Sequence, residues 1–357
     1  MRILAAVIFC IFSVFPSVAQ EDGATKRVLS DVLTKYIQPR YADLHMRSQV
    51  LQGATAQLCD MPSDANLKSA HVSYLEFANS WAQIEWFRVG PIMSKNRVER
   101  ILFYPDRKST GLKQVQRALA NEDSSVASFD SLTQKSVAVQ GLGALEFILF
   151  GTGSETLKAN DGAFRCRFGY AVAQNLTDIS NTLLTGWKND GIAAEFWLDP
   201  NDENPLYRND NEALNILIGT MVHGLEALRD VRIGAFLKDE AKLDRPKSAL
   251  MWRSENTLAM IKSGLSGLGE LFTKSGIEQL LPQDNSALGD SVRFEFSQAL
   301  NTASSLDKPV LELLQSHDDR QKLAYLKLAI GFVISRIDND FSQRLGLSAG
   351  FSFGDGD

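Results

Sequence analysis

The sequence predicts an all-α protein built as two helical-bundle domains packed together. Three observations carry that expectation. Apolar residues recur at three- and four-residue spacing over most of the chain, alternation with period two is almost absent, and prolines at 39, 62, 91, 105, 200, 205, 246, 282 and 309 fall mostly between the periodic stretches. A length of 357 residues suits two domains, and a hydrophobic content of 44% supplies real cores and excludes a disordered chain.

In chain order, Pro39 reads as a first-turn proline or a kink, followed by a helix to about Gln57. A second helix is expected from Asp64 to about Val89, stopped by Gly90-Pro91. A short one follows at Leu112–Leu119, then long ones at Asp130–Phe150 and Phe164–Trp187. The Pro/Asn/Asp-rich stretch from about Gly191 to Asn209 marks a domain boundary, giving bundles at 20–195 and 196–357. Helices are then expected at Asn211–Lys238, Lys247–Lys274, Ser286–Ser305 and Asp318–Phe341.

Met1-Arg2, the apolar run Ile3–Phe15 and the small residues of Pro16-Ser17-Val18-Ala19 have the layout of a secretory signal peptide, with cleavage after Ala19. The run is short for a bilayer span, so the expectation is a periplasmic or otherwise exported protein with no transmembrane segment after cleavage. Loss of Cys10 with the signal leaves Cys59 and Cys166. In an oxidising compartment such a pair forms a disulfide more naturally than a catalytic thiol, the alternative being two separate buried thiols. A net charge of −6 from 37 basic and 43 acidic residues, with no basic cluster, argues against a nucleic-acid partner.

Glu146 is the only charge in S-V-A-V-Q-G-L-G-A-L-E-F-I-L-F-G, residues 136–151, and points along an apolar helix face. A buried carboxylate must be protonated, paired with arginine or bound to a cation. Gly141 and Gly143, about a turn away, suit close approach of a backbone or ligand. Trp81, Glu85 and Arg88 are spaced for one helical face, and the loop after them carries Arg97, Arg100 and Asp106. These groups could line a polar cleft with Glu146 or form a solvated face. His223 and Glu226 have the i, i+3 spacing of carboxylate–histidine metal sites on bundle helices, and equally that of a chance pair. The run H-G-L-E there parallels G-A-L-E at 143–146. His45, His71 and His317 lack such a partner. H-E-x-x-H, a nucleophile elbow and a P-loop are all absent. Gly264–Gly269 reads as a packing or bend feature, and the terminal Gly354-Asp355-Gly356-Asp357 as a tail.

The blocks W-A-Q-I-E-W-F-R-V-G-P (81–91), R-V-E-R-I-L-F-Y-P-D (97–106), G-L-G-A-L-E-F-I-L-F-G (141–151), N-P-L-Y-R (204–208), W-R-S (252–254) and G-L-S-A-G-F-S-F-G-D-G-D (346–357), in that order, resemble the imelysin-like family. The resemblance implies two helical bundles, export and a link to iron acquisition. It also brings a metallopeptidase label attached to a G-x-H-x-x-E motif. Residues 141–146 keep the glutamate but put Gly143 where the histidine would stand, which removes the nitrogen donor zinc favours and leaves an oxygen-rich cation site as the alternative. The resulting expectation is binding, not catalysis. Glu85, Arg88, Arg97, Arg100, Asp106, Trp81, Gly141, Gly143, Glu146, Arg253 and Ser254 are the candidate ligand-binding residues. The metal candidates are Glu146, Glu85, His223 and Glu226, with iron or another divalent cation as the ion and envelope iron-uptake proteins as partners. A metal-dependent peptidase and a purely structural envelope protein are the alternatives.

Overall fold

The computed structural model describes residues 18–350; the expected signal peptide, except for its last two positions, and the Gly354–Asp357 tail lie outside them. Helix α1 (Val18–Asp31), a π-helical turn at Val32–Ile37 and α2 (Gln38–Asp60) run on without a break. The π turn ends next to Pro39, whose missing N–H removes one i→i−4 bond, and the Gln38 N–H reaches back to the Leu33 carbonyl instead.

Helix α3 (Asp64–Ala82) starts at Ser63, whose side chain accepts from the Asn66 N–H as an N-cap. It ends at Ala82, seven residues short of the expected stop. Residues 83–89 instead turn and press into the second half of the chain, where Trp86 meets Gly224 and Gly264 and the Gln83 backbone meets Gly267. Tertiary contact overrides a sequence, Q-I-E-W-F-R-V, that is compatible with helix.

Helices α4 (Arg97–Ile101), α5 (Thr110–Ala120), α6 (Phe129–Leu132), α7 (Leu142–Phe150) and α8 (Ala163–Gly186) follow. The helix expected over 130–150 is thus divided. Gly141 is extended (φ −124°, ψ −162°), and a Cβ there would overlap the Ile101 carbonyl oxygen, so the close pass of the α4 backbone sets the break. The Cys59–Cys166 disulfide joins the end of α2 to α8 across 107 residues, as expected.

The expected boundary at 195/196 falls inside α9 (Ile192–Leu198). Within it Trp197 is fully buried against Phe87, Trp187 and Tyr207, and its indole donates to the Leu29 carbonyl at 2.9 Å. Helix α10 (Asp210–Glu226) continues as a π turn over Ala227–Ile233. The helix expected from Lys247 begins only at Thr257, because residues 246–256 form a 3₁₀ turn and a loop with Met251 and Glu255 both at φ 57°. After α11 (Thr257–Ser275) come α12 (Ala287–Ser304), α13 (Val310–Leu313) and α14 (His317–Ser335). No strand occurs among the described residues.

Helix α2 packs on α3 and α8, with α7 on α8. In the second half α11 and α14 pack on both α10 and α12, and the contact of α3 with α11 joins the two sets. No helix among the described residues is long and apolar enough to cross a membrane.

Candidate functional site

The seam between the two sets holds two buried carboxylates, each brought by the first half and met by donors from the second. Glu146, on α7, is 5% exposed. Its Oε1 accepts from the N–H groups of Arg253 and Ser254, both at 3.1 Å, and from the Ser254 hydroxyl at 3.0 Å. The Arg253 guanidinium stands 3.9 Å from Oε2. The left-handed residues Met251 and Glu255 bracket this turn and let consecutive N–H groups converge on one oxygen. Burial pushes the Glu146 carboxyl above its usual range, held back by the Ser254 N–H, the Arg253 charge, the Ser254 hydroxyl and the Arg253 N–H. The Tyr74 hydroxyl, which donates to the Leu142 carbonyl at 3.1 Å, lies beneath; burial, then the Glu146 charge, hold it well above the ordinary phenol value.

Glu85 is 3% exposed and accepts from Arg232 Nη2 at 2.7 Å. Arg232 stacks on Tyr104 (4.6 Å) and Trp86 (5.3 Å). Burial raises the Glu85 carboxyl, opposed first by the charges of Arg232 and Arg88. The Trp81 indole N–H also helps to lower it, though it falls short of hydrogen-bond geometry. Trp81, Glu85 and Arg88 do gather, but through the turn after α3 and not on a shared helical face. The signal for Arg232 was thin: nothing in R-D-V-R marks one arginine as the buried one, and only the need to balance Glu85 calls for it.

Glu146, Arg253 and Ser254 are therefore brought together, and Glu85 forms a separate centre with its own arginine. The loop residues serve other contacts. Arg97 donates to the Pro91 carbonyl, and Arg100 donates to Gln140 Oε1 (2.8 Å) and Asn175 Oδ1 (2.6 Å). Asp106 accepts from the N–H groups of Thr110 (2.6 Å) and Leu112 (3.1 Å) at the start of α5. Gly143 is exposed in the first turn of α7, with nothing within 4 Å of where its Cβ would stand.

His223 places Nδ1 3.0 Å from Glu226 Oε2 and Nε2 2.9 Å from the Ala349 carbonyl, linking α10 to the end of the described chain. Among the described residues no three His, Cys, Asp or Glu side chains gather as a metal ion would require.

The described residues thus form an all-helical fold with two buried carboxylates in its seam. The family model for imelysin (peptidase M75) matches residues 37–335, and the chain belongs to that family. In fold it is similar to an imelysin-like protein from Psychrobacter arcticum 273-4, with 18% identity, TM-score 0.72, and 96% of this chain and 100% of that chain covered. It is also similar to a putative iron-regulated protein A precursor from Parabacteroides distasonis ATCC 8503, with 14% identity, TM-score 0.70, and 91% and 97% covered. No curated protein matches the sequence.

Proposed function

We propose that this imelysin-family protein is exported and serves iron acquisition by binding at the Glu146 seam, not by hydrolysing peptides, with the two helix sets as its two domains. The observation that carries the reading is the engagement of Glu146. One oxygen already accepts three hydrogen bonds from Arg253 and Ser254. A hydrolytic zinc centre needs a nitrogen-rich ligand set, an open coordination position and a general base. Gly143 supplies no ligand one turn away, and Glu146 Oε1 is committed to its three donors, which leaves Oε2 alone to offer a cation. Export is supported by the N-terminal layout of charge, apolar run and small residues. The link to iron is supported by family membership and by the iron-regulated neighbour. The bound species would be a metal ion, a metal complex or a partner protein of the envelope.

The test is metal content of the mature protein, then calorimetric titration with iron and zinc beside peptidase assays, on wild type and Glu146→Gln. The expected result is no zinc-dependent cleavage. Zinc-dependent hydrolysis abolished by Glu146→Gln would overturn the binding reading in favour of a peptidase.

A further inference from the structure

Cations and aromatic rings alternate along one edge of the seam. The Lys247 ammonium stands over Trp252 at 5.6 Å, and the Arg253 guanidinium over the same ring at 4.6 Å. Arg253 also stands 5.5 Å from the centre of Phe147, which Arg165 approaches to 5.8 Å. The cations differ in what else they do. Arg165 donates to the carbonyls of Phe147, Ile148 and Thr152 and so closes the end of α7. Neither the Lys247 ammonium nor the Arg253 guanidinium makes a hydrogen bond to any described residue, and the nearest carboxylate to Arg253 is Glu146 at 3.9 Å. Stacking on rings fixes these groups in place without engaging their N–H donors, as recognition of an anion requires. Beside them lies room. Gly143 is four residues before Phe147 on α7, hence on the same helix face, and the space over it is open.

We propose that Lys247 and Arg253, with Trp252 between them in the contact chain and the open space over Gly143 beside them, bind a small polycarboxylate anion. This rests on the reading that the protein binds an iron species at this seam, and names that species as a metal chelate with carboxylate arms. Two cationic groups that share one ring suit a ligand with more than one anionic arm, and a guanidinium fork matches the planar carboxylate.

The chain supplies its own reporter. Of five tryptophans, Trp81, Trp86, Trp187 and Trp197 are buried, and Trp252 alone is partly exposed. Tryptophan fluorescence of the mature protein is titrated with citrate, with ferric citrate and with inorganic phosphate. Citrate is expected to give a saturable change that weakens roughly tenfold or more in Arg253→Gln, as expected for loss of a charge-assisted pair. Lys247→Gln, at an exposed position where folding is not at issue, should weaken it too, and Gly143→Leu should block it by filling the space. No saturable change with citrate, an equal response to phosphate, or citrate binding untouched by both Arg253→Gln and Lys247→Gln would overturn the site. Tighter binding of ferric citrate than of citrate supports the iron reading as well. Equal binding of the two leaves the anion site standing and removes iron from the function, so the two failures are distinguishable.

Discussion

Gly267 on α11 faces the carbonyl of Gln83 so closely that a Cβ at 267 would overlap that oxygen. The turn carrying Glu85 therefore rests directly on helix backbone, and no flexible side chain is there to yield. Gly267→Ala is expected to destabilise the protein by about 3 kcal/mol, at the upper end of overpacking costs. Gly143→Ala is the control. It sits in a helix with open space around it, and is expected to stabilise by about 0.5–1 kcal/mol through helix propensity. Urea unfolding of the two variants measures both signs.

The same contact explains how far the sequence could be read. Amphipathic spacing gave the existence of α2, α3, α8, α10, α11, α12 and α14, because each buries one face whatever its neighbours do. It could not say that α3 stops at Ala82, since that end is set by glycines some 140 to 185 residues further on. Glu146 stood out as a lone charge in an apolar run, and Arg253 and Ser254 carried the family resemblance. Arg232 and Lys247 were silent, because a cation's role here depends on which carboxylate or ring lies opposite. The stretch 191–209 carries both kinds of signal. Its Pro, Asn and Asp residues signal loops truly, but Trp197 within it is buried in the core.

Arg232 is expected to be needed mainly because Glu85 is present. Arg232→Met removes the partner of a carboxylate that is 3% exposed, and should cost about 3–5 kcal/mol at neutral pH. The double variant Glu85→Leu/Arg232→Met should recover most of that loss, since neither buried charge remains. A double-mutant cycle by chemical denaturation measures the coupling, and a double variant as unstable as Arg232→Met alone would refute the argument.

At Glu146 the expected difference is between losing the acceptor and losing the charge. Glu146→Ala leaves the N–H groups of Arg253 and Ser254 and the Ser254 hydroxyl without their shared acceptor, and should cost about 2–4 kcal/mol. Glu146→Gln keeps an oxygen in place and should cost far less. Its pH dependence carries a sign. Burial raises the folded carboxyl pKa above the unfolded value, so the folded state holds the proton more strongly. The charged form therefore subtracts from stability as pH rises from the ordinary glutamate range through the raised value. Because Glu146→Gln lacks this titration, any advantage of wild type should shrink as pH rises from about 4.5 toward neutrality. Thermal melts of the two proteins across that window measure it.

Reduction of Cys59–Cys166 is expected to act chiefly on the unfolded chain. The bridge closes a loop across a sequence separation of 107 residues, for which chain entropy gives about 4–5 kcal/mol at 25 °C. The native contacts around it do not depend on the bond, because α2 and α8 pack along their length and Cys166 is already buried. The double variant Cys59→Ser/Cys166→Ser should therefore keep its helical circular dichroism yet unfold at a markedly lower urea concentration. Wild type treated with a thiol reductant should shift by a similar amount, whereas reductant should leave the double variant unchanged. Equal midpoints for oxidised and reduced wild type would place the compensation in the denatured state, with α2 and α8 still associated there, and would be seen as a smaller urea dependence of the unfolding free energy.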